Sequence, residues 1–580
     1  MAMFIGFHAY DDEGYFLQLL RDYLSGQPLL SPATPTYGPF FFETMGALFK
    51  VVGVVPDNDS GRLVTLVLWL LSILLGAFTV HRLTRNPWLA AGALLVGFRA
   101  LLALTTEPMN PQALIALLTV AMVAAATIRE SRPRLRGALI GAIVAALCLI
   151  KINVGVFAGA AVALIWAAGL TDRWRRIVLP LVGTAFVVMA FALVGAMLQK
   201  AWALEFAAVG ALAAAAIVVM LWRGGPDMNP RPYAMWIAAW IAGGAVALAA
   251  VCLGVAIAGG TSPEYIWNGL VVVTLRVPDV FAVPLEINPF VDLIAALSLA
   301  GAVLIKFSRG RIQPTAATRV AVGLCMWAAL LLLPTTIFLL TIPLAWVALS
   351  PPADDGDDPV GPYARAFLPA LAVAYTLQAY PVAGTELSLA ALPQLMVGAI
   401  CVSDGIRMAR RQAASRRFVA GAPRLGVTLG ALAFLVTAAF TVTAFQSESP
   451  LGLPGAQSVR LPQAQAADLQ ALVAAIDKDC SAFITYPGMN SFYIWTGSRP
   501  PTEVRSEVWM ITFDSNQQQA LVDRLSPQPR LCVVKDQRQV EFWTRGAAAP
   551  DRPLVRFIDD EFTVAVSAGD YQLLVRRSPA

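Results

Sequence analysis

Three consecutive carboxylates, Asp11, Asp12 and Glu13, stand near the start of the sequence. Adjacent negative charges repel one another, so at least one of these groups is expected to have a raised pKa. Such a carboxylate is suited to general base catalysis, and the pair Asp11 and Asp12 can ligate a divalent cation such as Mg²⁺ or Mn²⁺. The alternative is a solvated acidic helix N-terminus, which the helix dipole favours.

Two further charged groups lie at breaks between apolar segments. Glu107 belongs to the polar corner 105–111, and Lys151 follows an apolar run and precedes Asn153. A lysine flanked by apolar helices is costly unless it is paired or faces a polar cavity, where it can hold a phosphate. Glu107 is predicted to lie on the same side as Asp12. The alternatives are an ordinary polar corner for Glu107 and snorkelling toward lipid headgroups for Lys151.

Two more polar corners complete the candidate set. The segment 259–288 carries Arg276, whose guanidinium can bind phosphate oxygens through two parallel hydrogen bonds, or can serve as a plain interfacial anchor. The segment 378–386 contains Pro381 and Gly384 and ends at Glu386. All five polar corners fall on one side of the predicted topology, as an active site requires.

The composition predicts the elements that position these residues. Hydrophobic residues make up 58% of the 580 residues and charged residues only 14%, with a mean hydropathy of +0.66. A soluble domain carries about 25% charged residues. The sequence therefore predicts an all-α polytopic membrane bundle of about 13–14 helices. The net charge of +5 is no sign of nucleic-acid binding, because the basic residues cluster in short loops between apolar runs.

These basic loops recur after every second predicted span, which indicates that they are cytoplasmic. The apolar stretch 320–349 has two interpretations. A single long span would place the basic run 407–417 outside, whereas a hairpin breaking near Pro334 keeps that run inside and places the acidic run 354–358 there as well. We prefer the hairpin. The basic loops are 81–87, 129–136, 172–176, 223–231, 306–319 and 407–417.

After residue 445 the composition becomes that of a soluble domain. Helices are predicted over 465–478 and 515–525, and strands over 481–486 and 530–535, which indicates a small extracytoplasmic α/β domain. Cys480 and Cys532 begin the two strands and form either a disulfide or two buried free thiols. The predicted regions are an acidic loop with juxtamembrane helices over 1–62, a transmembrane core over 63–445, and this domain over 446–580.

The order of motifs in residues 1–170 resembles the membrane glycosyltransferases of the GT-C fold, which include protein O-mannosyltransferases and the aminoarabinose transferase of lipid A. The matching features are an acidic pair in a first outer loop, a glycine-containing turn, an aromatic helix, a span led by arginine, and two later corners. They are found here at Asp12-Glu13, Gly26-Gln27-Pro28, Tyr37-Gly38-Pro39, Arg62, Glu107 and Lys151.

The resemblance implies transfer of a sugar from a polyprenyl-phosphate-linked donor, outside the bacterial cytoplasmic membrane, to a glycan, lipid or protein acceptor. Asp12, with Glu13 beside it, would activate the acceptor or help bind a metal, and Glu107 matches a second acidic position. Lys151 and Arg276 would hold the donor phosphate. Two other classes stay open: a transporter or flippase of envelope lipids, and a non-catalytic assembly protein.

The sequence departs from the family pattern at its start. The related enzymes have a span before the acidic loop, whereas only ten residues precede Asp11 here. Either the true start lies upstream of Met1, or this protein lacks that helix. The second case would change how Asp12 is held at the membrane face.

Overall fold

Apolar runs separated by proline, glycine and basic residues fold into helices in this chain, and the helices run almost without interruption to residue 447. The computed structural model describes residues 1–8, 11–29, 37–129, 131–222, 234–276, 282–308, 311–332, 335–352, 359–382, 386–411, 421–502 and 508–577.

The first 447 residues form the helical bundle. Helices α1 and α2 precede the first long helix, α3, and several later helices begin at a proline, whose fixed φ suits a first turn. The helices are α1 Asp12–Leu24, α2 Pro39–Val52, α3 Asn58–Thr84, α4 Pro87–Ala100, α5 Gln112–Ala126, α6 Pro133–Ile150, α7 Ile152–Ala168, α8 Asp172–Val194, α9 Ala201–Trp222, α10 Ala234–Ala258, α11 Pro263–Trp267, α12 Pro289–Phe307, α13 Ala316–Leu332, α14 Thr335–Thr341, α15 Pro362–Thr376, α16 Glu386–Arg411 and α17 Ala422–Ser447.

The described residues include nine helices long and apolar enough to cross a membrane, with four shorter apolar helices between them. The prediction of an all-α polytopic bundle is therefore confirmed, and nine such helices are found among the described residues where 13–14 were predicted. The first span begins at Asn58 rather than at 63, because Asp57 caps it through a hydrogen bond from the N–H of Ser60 (2.8 Å). Three of the nine spans, α6, α9 and α16, hold half or more of their apolar stretch in the bundle interior.

The stretch 320–349 folds back on itself. Arg319, in the first turn of α13, donates to the carbonyl of Val347 in the 3₁₀ segment Ile342–Leu349 at 3.3 Å. A single straight helix would hold these two residues roughly 42 Å apart. The preferred hairpin is therefore the observed arrangement, although Pro334 itself and the acidic run 354–358 lie outside the described residues.

The end of the bundle that carries this hairpin is held by a buried ionic cluster. The carboxylate of Asp404 in α16 is fully buried, and Arg365 of α15 donates to its Oδ2 at 2.7 Å. Arg319 lies 3.6 Å from the same oxygen, and Arg407 pairs with Oδ1. Three helices are thus joined through one buried carboxylate, whose removal would leave uncompensated buried cations.

The C-terminal region is the predicted small α/β domain. Its four-stranded sheet has the order β3-β4-β6-β5, with β3 parallel to β4 and the other pairs antiparallel. A disulfide joins Cys480 and Cys532, whose Cα atoms are 5.7 Å apart. The elements are β1 Ser449–Pro450, β2 Arg460–Leu461, α18 Gln463–Asp479, β3 Ala482–Tyr486, α19 Ser491–Trp495, α20 Trp509–Thr512, α21 Ser515–Leu525, β4 Leu531–Asp536, α22 Gln537–Thr544, α23 Pro553–Glu561, β5 Phe562–Ala568 and β6 Tyr571–Arg576.

This domain packs against the first residues of the chain. The backbone N–H of Gly6 donates to the carbonyl of Arg460 at 2.9 Å, and Asp59 at the start of α3 accepts from the N–H of Ser458 at 3.1 Å. The indole of Trp495 donates to Asn58 at 3.0 Å and lies against the ring of Phe7. The N-terminal segment thus lies between the bundle and the domain, and we call this end of the bundle the domain-bearing end.

Candidate functional site

The first acidic residue, Asp11, joins the bundle to the C-terminal domain. It caps α1 by accepting from the N–H of Gly14 at 2.8 Å, and it accepts from the backbone N–H and the hydroxyl of Ser491 at 2.6 and 2.7 Å. Both carboxylate oxygens are therefore used, and the side chain is 1% exposed. Burial raises the pKa of Asp11 to about 7, against the lowering effect of these hydrogen bonds. Asp11 is thus the carboxylate with the expected raised pKa, and the main cause is burial of the side chain and not repulsion by neighbouring charges.

The third acidic residue, Glu13, forms a buried ion pair with Arg62 of α3. Nε of Arg62 donates to Oε1 at 2.8 Å and Nη2 donates to Oε2 at 2.7 Å, a two-point arrangement. The same guanidinium donates to the carbonyls of Met3 and Gly6. Since both oxygens of Glu13 are taken by a fully buried cation, this pair fixes the start of α1 against α3.

The middle residue, Asp12, meets the corner that contains Glu107. The amide Nδ2 of Asn110 lies 3.1 Å from Oδ2 of Asp12 and also 3.1 Å from Oε2 of Glu107. The amide has two N–H bonds, one for each carboxylate. Asn110 is oriented by its own Oδ1, which accepts from the backbone N–H of Gln112 at 3.2 Å. Two carboxylates that lie 95 positions apart in the sequence are thereby brought to one point.

The corner that contains Asn110 is also connected to Lys151, through Gln112 and Glu386. Nε2 of Gln112 donates to Oε1 of Glu386 at 3.1 Å, and Nζ of Lys151 donates to the same oxygen at 3.0 Å. Lys151 and Glu386 are 16% and 20% exposed at their side chains, so the ion pair borders open space. Asp12, Glu107, Lys151 and Glu386 therefore belong to one hydrogen-bonded cluster, which we call the carboxylate–lysine cluster.

The local backbone geometry places Lys151 at a break between two helices. Its extended backbone breaks the helical path between α6 and α7, and Tyr37 and Gly38, just before α2, lie against this break. The N–H of Gly38 donates to the carbonyl of Ile150 at 2.8 Å. A Cβ on Gly38 would lie 2.1 Å from the carbonyl oxygen of Leu149, so only glycine permits the contact. The ring of Tyr37 then lies 5.5 Å from Nζ of Lys151.

Arg276, the second predicted phosphate ligand, lies elsewhere. It is exposed at the end of the helical segment that follows α11. Among the described residues, no hydrogen bond or ion pair connects it to the carboxylate–lysine cluster. Its assignment as a phosphate ligand therefore stays a prediction, and no contact with the carboxylate–lysine cluster supports it.

The cluster was also tested as a site for a divalent cation. Mg²⁺ and Mn²⁺ need several oxygen ligands, whereas here an amide N–H stands between the carboxylates of Asp12 and Glu107. The oxygens of Asp11 are occupied by Ser491 and Gly14. In the part of the chain that the structure describes, no group of three His, Cys, Asp or Glu side chains is placed to hold a metal ion. The donor set does not fit the predicted cation.

Several residues of the site were not assigned a role from the sequence. Asn110 and Glu386 lie in polar corners that the sequence marked, but their roles depend on partners far along the chain. Gln112 follows the first corner and connects it to Glu386, which is 274 positions away. The signal that could have found Glu386 is its place in an outer corner, together with the need of Lys151 for a counter-charge.

Comparisons with known proteins give only distant similarities. No family model and no curated protein matches it. Among solved structures, it is similar to the Archaeoglobus fulgidus oligosaccharyltransferase in complex with Zn and sulfate, with 12% identity and a TM-score of 0.41 over 94% of this chain and 67% of that one. The same enzyme tethered to an acceptor peptide with the NVT sequon gives 12% identity and 0.41, over 96% and 68%. Likenesses this weak assign neither a family nor an activity.

Proposed function

We propose that this protein transfers a sugar from a polyprenyl-phosphate-linked donor to an acceptor hydroxyl at the domain-bearing end of the bundle. The observation that carries the proposal is the shared hydrogen bonding of Asp12 and Glu107 to one amide of Asn110, with the cation of Lys151 in the same cluster. A base, a second carboxylate and a phosphate-binding cation are the groups that such a transfer needs.

In the proposed reaction, Asp12 acts as the general base. The acceptor oxygen attacks the anomeric carbon, the bond from that carbon to the phosphate oxygen breaks, and the hydroxyl proton passes to the carboxylate of Asp12. The electron pair of the broken bond leaves with the lipid phosphate, so charge and atoms balance. Glu107, held beside Asp12 by Asn110, stabilises the positive charge that develops on the sugar ring. Glu13 takes no part, because Arg62 occupies both of its oxygens.

Lys151 is proposed to bind the donor phosphate. Its ion pair with Glu386 borders open space, so an arriving phosphate can compete for the ammonium group. The lipid tail would lie between the apolar helices, with its head at the helix break beside Lys151. The positive-inside rule supports an orientation in which this end faces away from the cytoplasm. The proposal therefore includes a reaction on the outer face of the bacterial cytoplasmic membrane and a C-terminal domain outside.

The Asp12→Asn protein tests the proposal. Transfer of labelled sugar from polyprenyl-phosphate-linked pentoses and hexoses is measured in membranes that contain the protein. Loss of the base should lower turnover by roughly 10²–10⁴-fold, while thermal unfolding stays unchanged because Asn110 can still bond to an amide oxygen. Asp22→Asn, later in the same helix, is the control and should keep full turnover.

Retained turnover in Asp12→Asn would remove Asp12 from its catalytic role. A second outcome also contradicts the proposal: if the wild-type protein moves the lipid across the membrane but forms no glycosidic bond with any donor, the protein is a flippase. If neither activity occurs and Asp12→Asn has no effect in cells, the protein is a non-catalytic assembly factor.

A further inference from the structure

A cavity of about 590 Å³ lies where the C-terminal domain meets the first residues of the chain. Its walls come from the N-terminal segment at Phe7 and His8, from α18, from the start of α22 and from the turn between β5 and β6. Pockets of 300–1,000 Å³ accommodate small organic ligands. We call it the domain cavity, and none of the groups proposed above for catalysis lines it.

The domain cavity contains a buried carboxylate that lacks part of its hydrogen bonding. Oδ1 of Asp536 accepts from the N–H of Gln539 at 3.0 Å and caps α22. Oδ2 is buried without a hydrogen-bond partner among the described residues, although the side chain is only 1% exposed. A buried acceptor of this kind is costly unless something donates to it.

A second acceptor lines the cavity close by. Oε1 of Gln539 is also buried without a partner in the described part of the chain. Asp468 and Asp570 add carboxylates to the wall, against the single guanidinium of Arg538, which lies 3.7 Å from Asp570. The lining therefore favours a ligand that donates several hydrogen bonds and carries no negative charge.

Aromatic rings supply the remaining walls. Phe7, Phe542 and Tyr571 line the cavity beside these acceptors. Rings give apolar faces against which the C–H faces of a sugar ring can pack, while carboxylates and amides accept from its hydroxyls. A free phosphate or an acidic peptide would meet three carboxylates and is disfavoured.

We propose that the domain cavity binds a neutral saccharide segment of the acceptor, with Asp536 and Gln539 accepting from its hydroxyl groups. This inference rests on the proposed glycosyl transfer and names the class of its acceptor. The cavity is connected to the acidic residues, because the N–H of Asp11 donates to the carbonyl of His8 at 3.0 Å and His8 lines the cavity. A glycan held there lies beside His8, whose carbonyl is bonded to Asp11, the residue that precedes Asp12.

Binding of neutral trisaccharides of glucose, galactose, mannose and arabinose to the full-length protein in nanodiscs tests the inference. At least one should bind measurably by calorimetry or by saturation-transfer NMR. Asp536→Asn keeps a good helix cap but replaces the charged oxygen, and it should weaken binding roughly tenfold or more. Gln539→Met removes the second acceptor and should also weaken binding. Asp551→Asn, a largely exposed residue of the same domain, is the control and should bind as wild type.

The outcomes separate this inference from the proposed function. Asp12→Asn should abolish transfer yet leave trisaccharide binding intact, whereas Asp536→Asn should raise the KM for the acceptor with little change in kcat. Saccharide binding that survives in both Asp536→Asn and Gln539→Met overturns the inference even if transfer occurs. Failure of every trisaccharide to bind, or binding of a basic peptide alone, overturns it as well.

Discussion

At the residue scale, three adjacent carboxylates have three separate environments. Asp11 bonds to Ser491 of the C-terminal domain, Asp12 shares the amide of Asn110 with Glu107, and Glu13 pairs with Arg62. Successive residues of a helix point about 100° apart, so neighbours in sequence face different elements. The three carboxylates therefore do not form one site. Asp11 binds the C-terminal domain, Asp12 is the proposed base, and Glu13 forms a structural ion pair.

Lys151 gives a prediction at this scale. Lys151→Met keeps most of the side-chain length but removes the cation that we propose binds the donor phosphate. The KM for the polyprenyl-phosphate donor should rise about tenfold or more, since a charge-assisted hydrogen bond contributes about 1.5–3 kcal/mol. Lys151→Arg should restore part of the affinity. Lys50→Met, an exposed lysine of α2, is the control; an unchanged donor KM in Lys151→Met would exclude the phosphate role.

At the element scale, the site depends on how closely α1 approaches the C-terminal domain. A Cβ on Gly14 would lie 2.2 Å from the backbone nitrogen of Ser491 and 2.4 Å from Oδ2 of Asp11. Both atoms are fixed by hydrogen bonds to each other. The start of α1, and with it Asp12, is thus positioned by a contact between segments 480 positions apart.

The Gly14→Ala protein tests this contact. The added methyl group should separate α1 from α19, destabilise the protein by about 1–3 kcal/mol and lower turnover because Asp12 moves away from Asn110. Thermal unfolding and limited proteolysis of the C-terminal domain measure the effect. Gly243→Ala in α10, where a Cβ meets no atom within 4 Å, is the matched control; equal behaviour of the two variants would show that the contact is loose.

At the scale of the whole molecule, the cluster and the C-terminal domain lie at one end of the bundle. The buried cluster of Asp404 with Arg319, Arg365 and Arg407 joins three helices where the hairpin 316–349 closes. Arg407 begins the basic run 407–417, which the positive-inside rule assigns to the cytoplasm. The charged groups at this hairpin therefore hold helices together, whereas those of the carboxylate–lysine cluster are the proposed reaction groups.

Sidedness gives a whole-molecule prediction. Alkaline phosphatase fused after residue 577 should be active in bacterial cells, because the positive-inside rule places the C-terminal domain outside. A fluorescent protein at the same position should stay dark, and the reverse should hold for fusions in the basic loop 129–136. Active phosphatase in that loop, with an inactive C-terminal fusion, would invert the topology and place the proposed site on the cytoplasmic face.

Local composition was enough to predict the helices and the domain that follows them. Membrane partitioning is close to additive over about 20 residues, so the predicted change at residue 445 lies within two residues of the end of α17 at Ser447. The helix Ser515–Leu525 was predicted at its observed bounds. The helix break at Lys151 could also be predicted from neighbouring residues alone, because a charged residue interrupts an apolar run there.

The pairing of the charged groups, in contrast, depends on how the helices and the domain pack together. Glu386 reaches Lys151 across 235 positions and Asp11 reaches Ser491 across 480, while Arg276 stays apart from both. A hydrogen bond depends on the direction of each side chain and on how helices pack, and neither follows from local composition. The sequence therefore identified the polar corners, whereas the packing of the helices brings Asp12, Asn110 and Glu107 into contact.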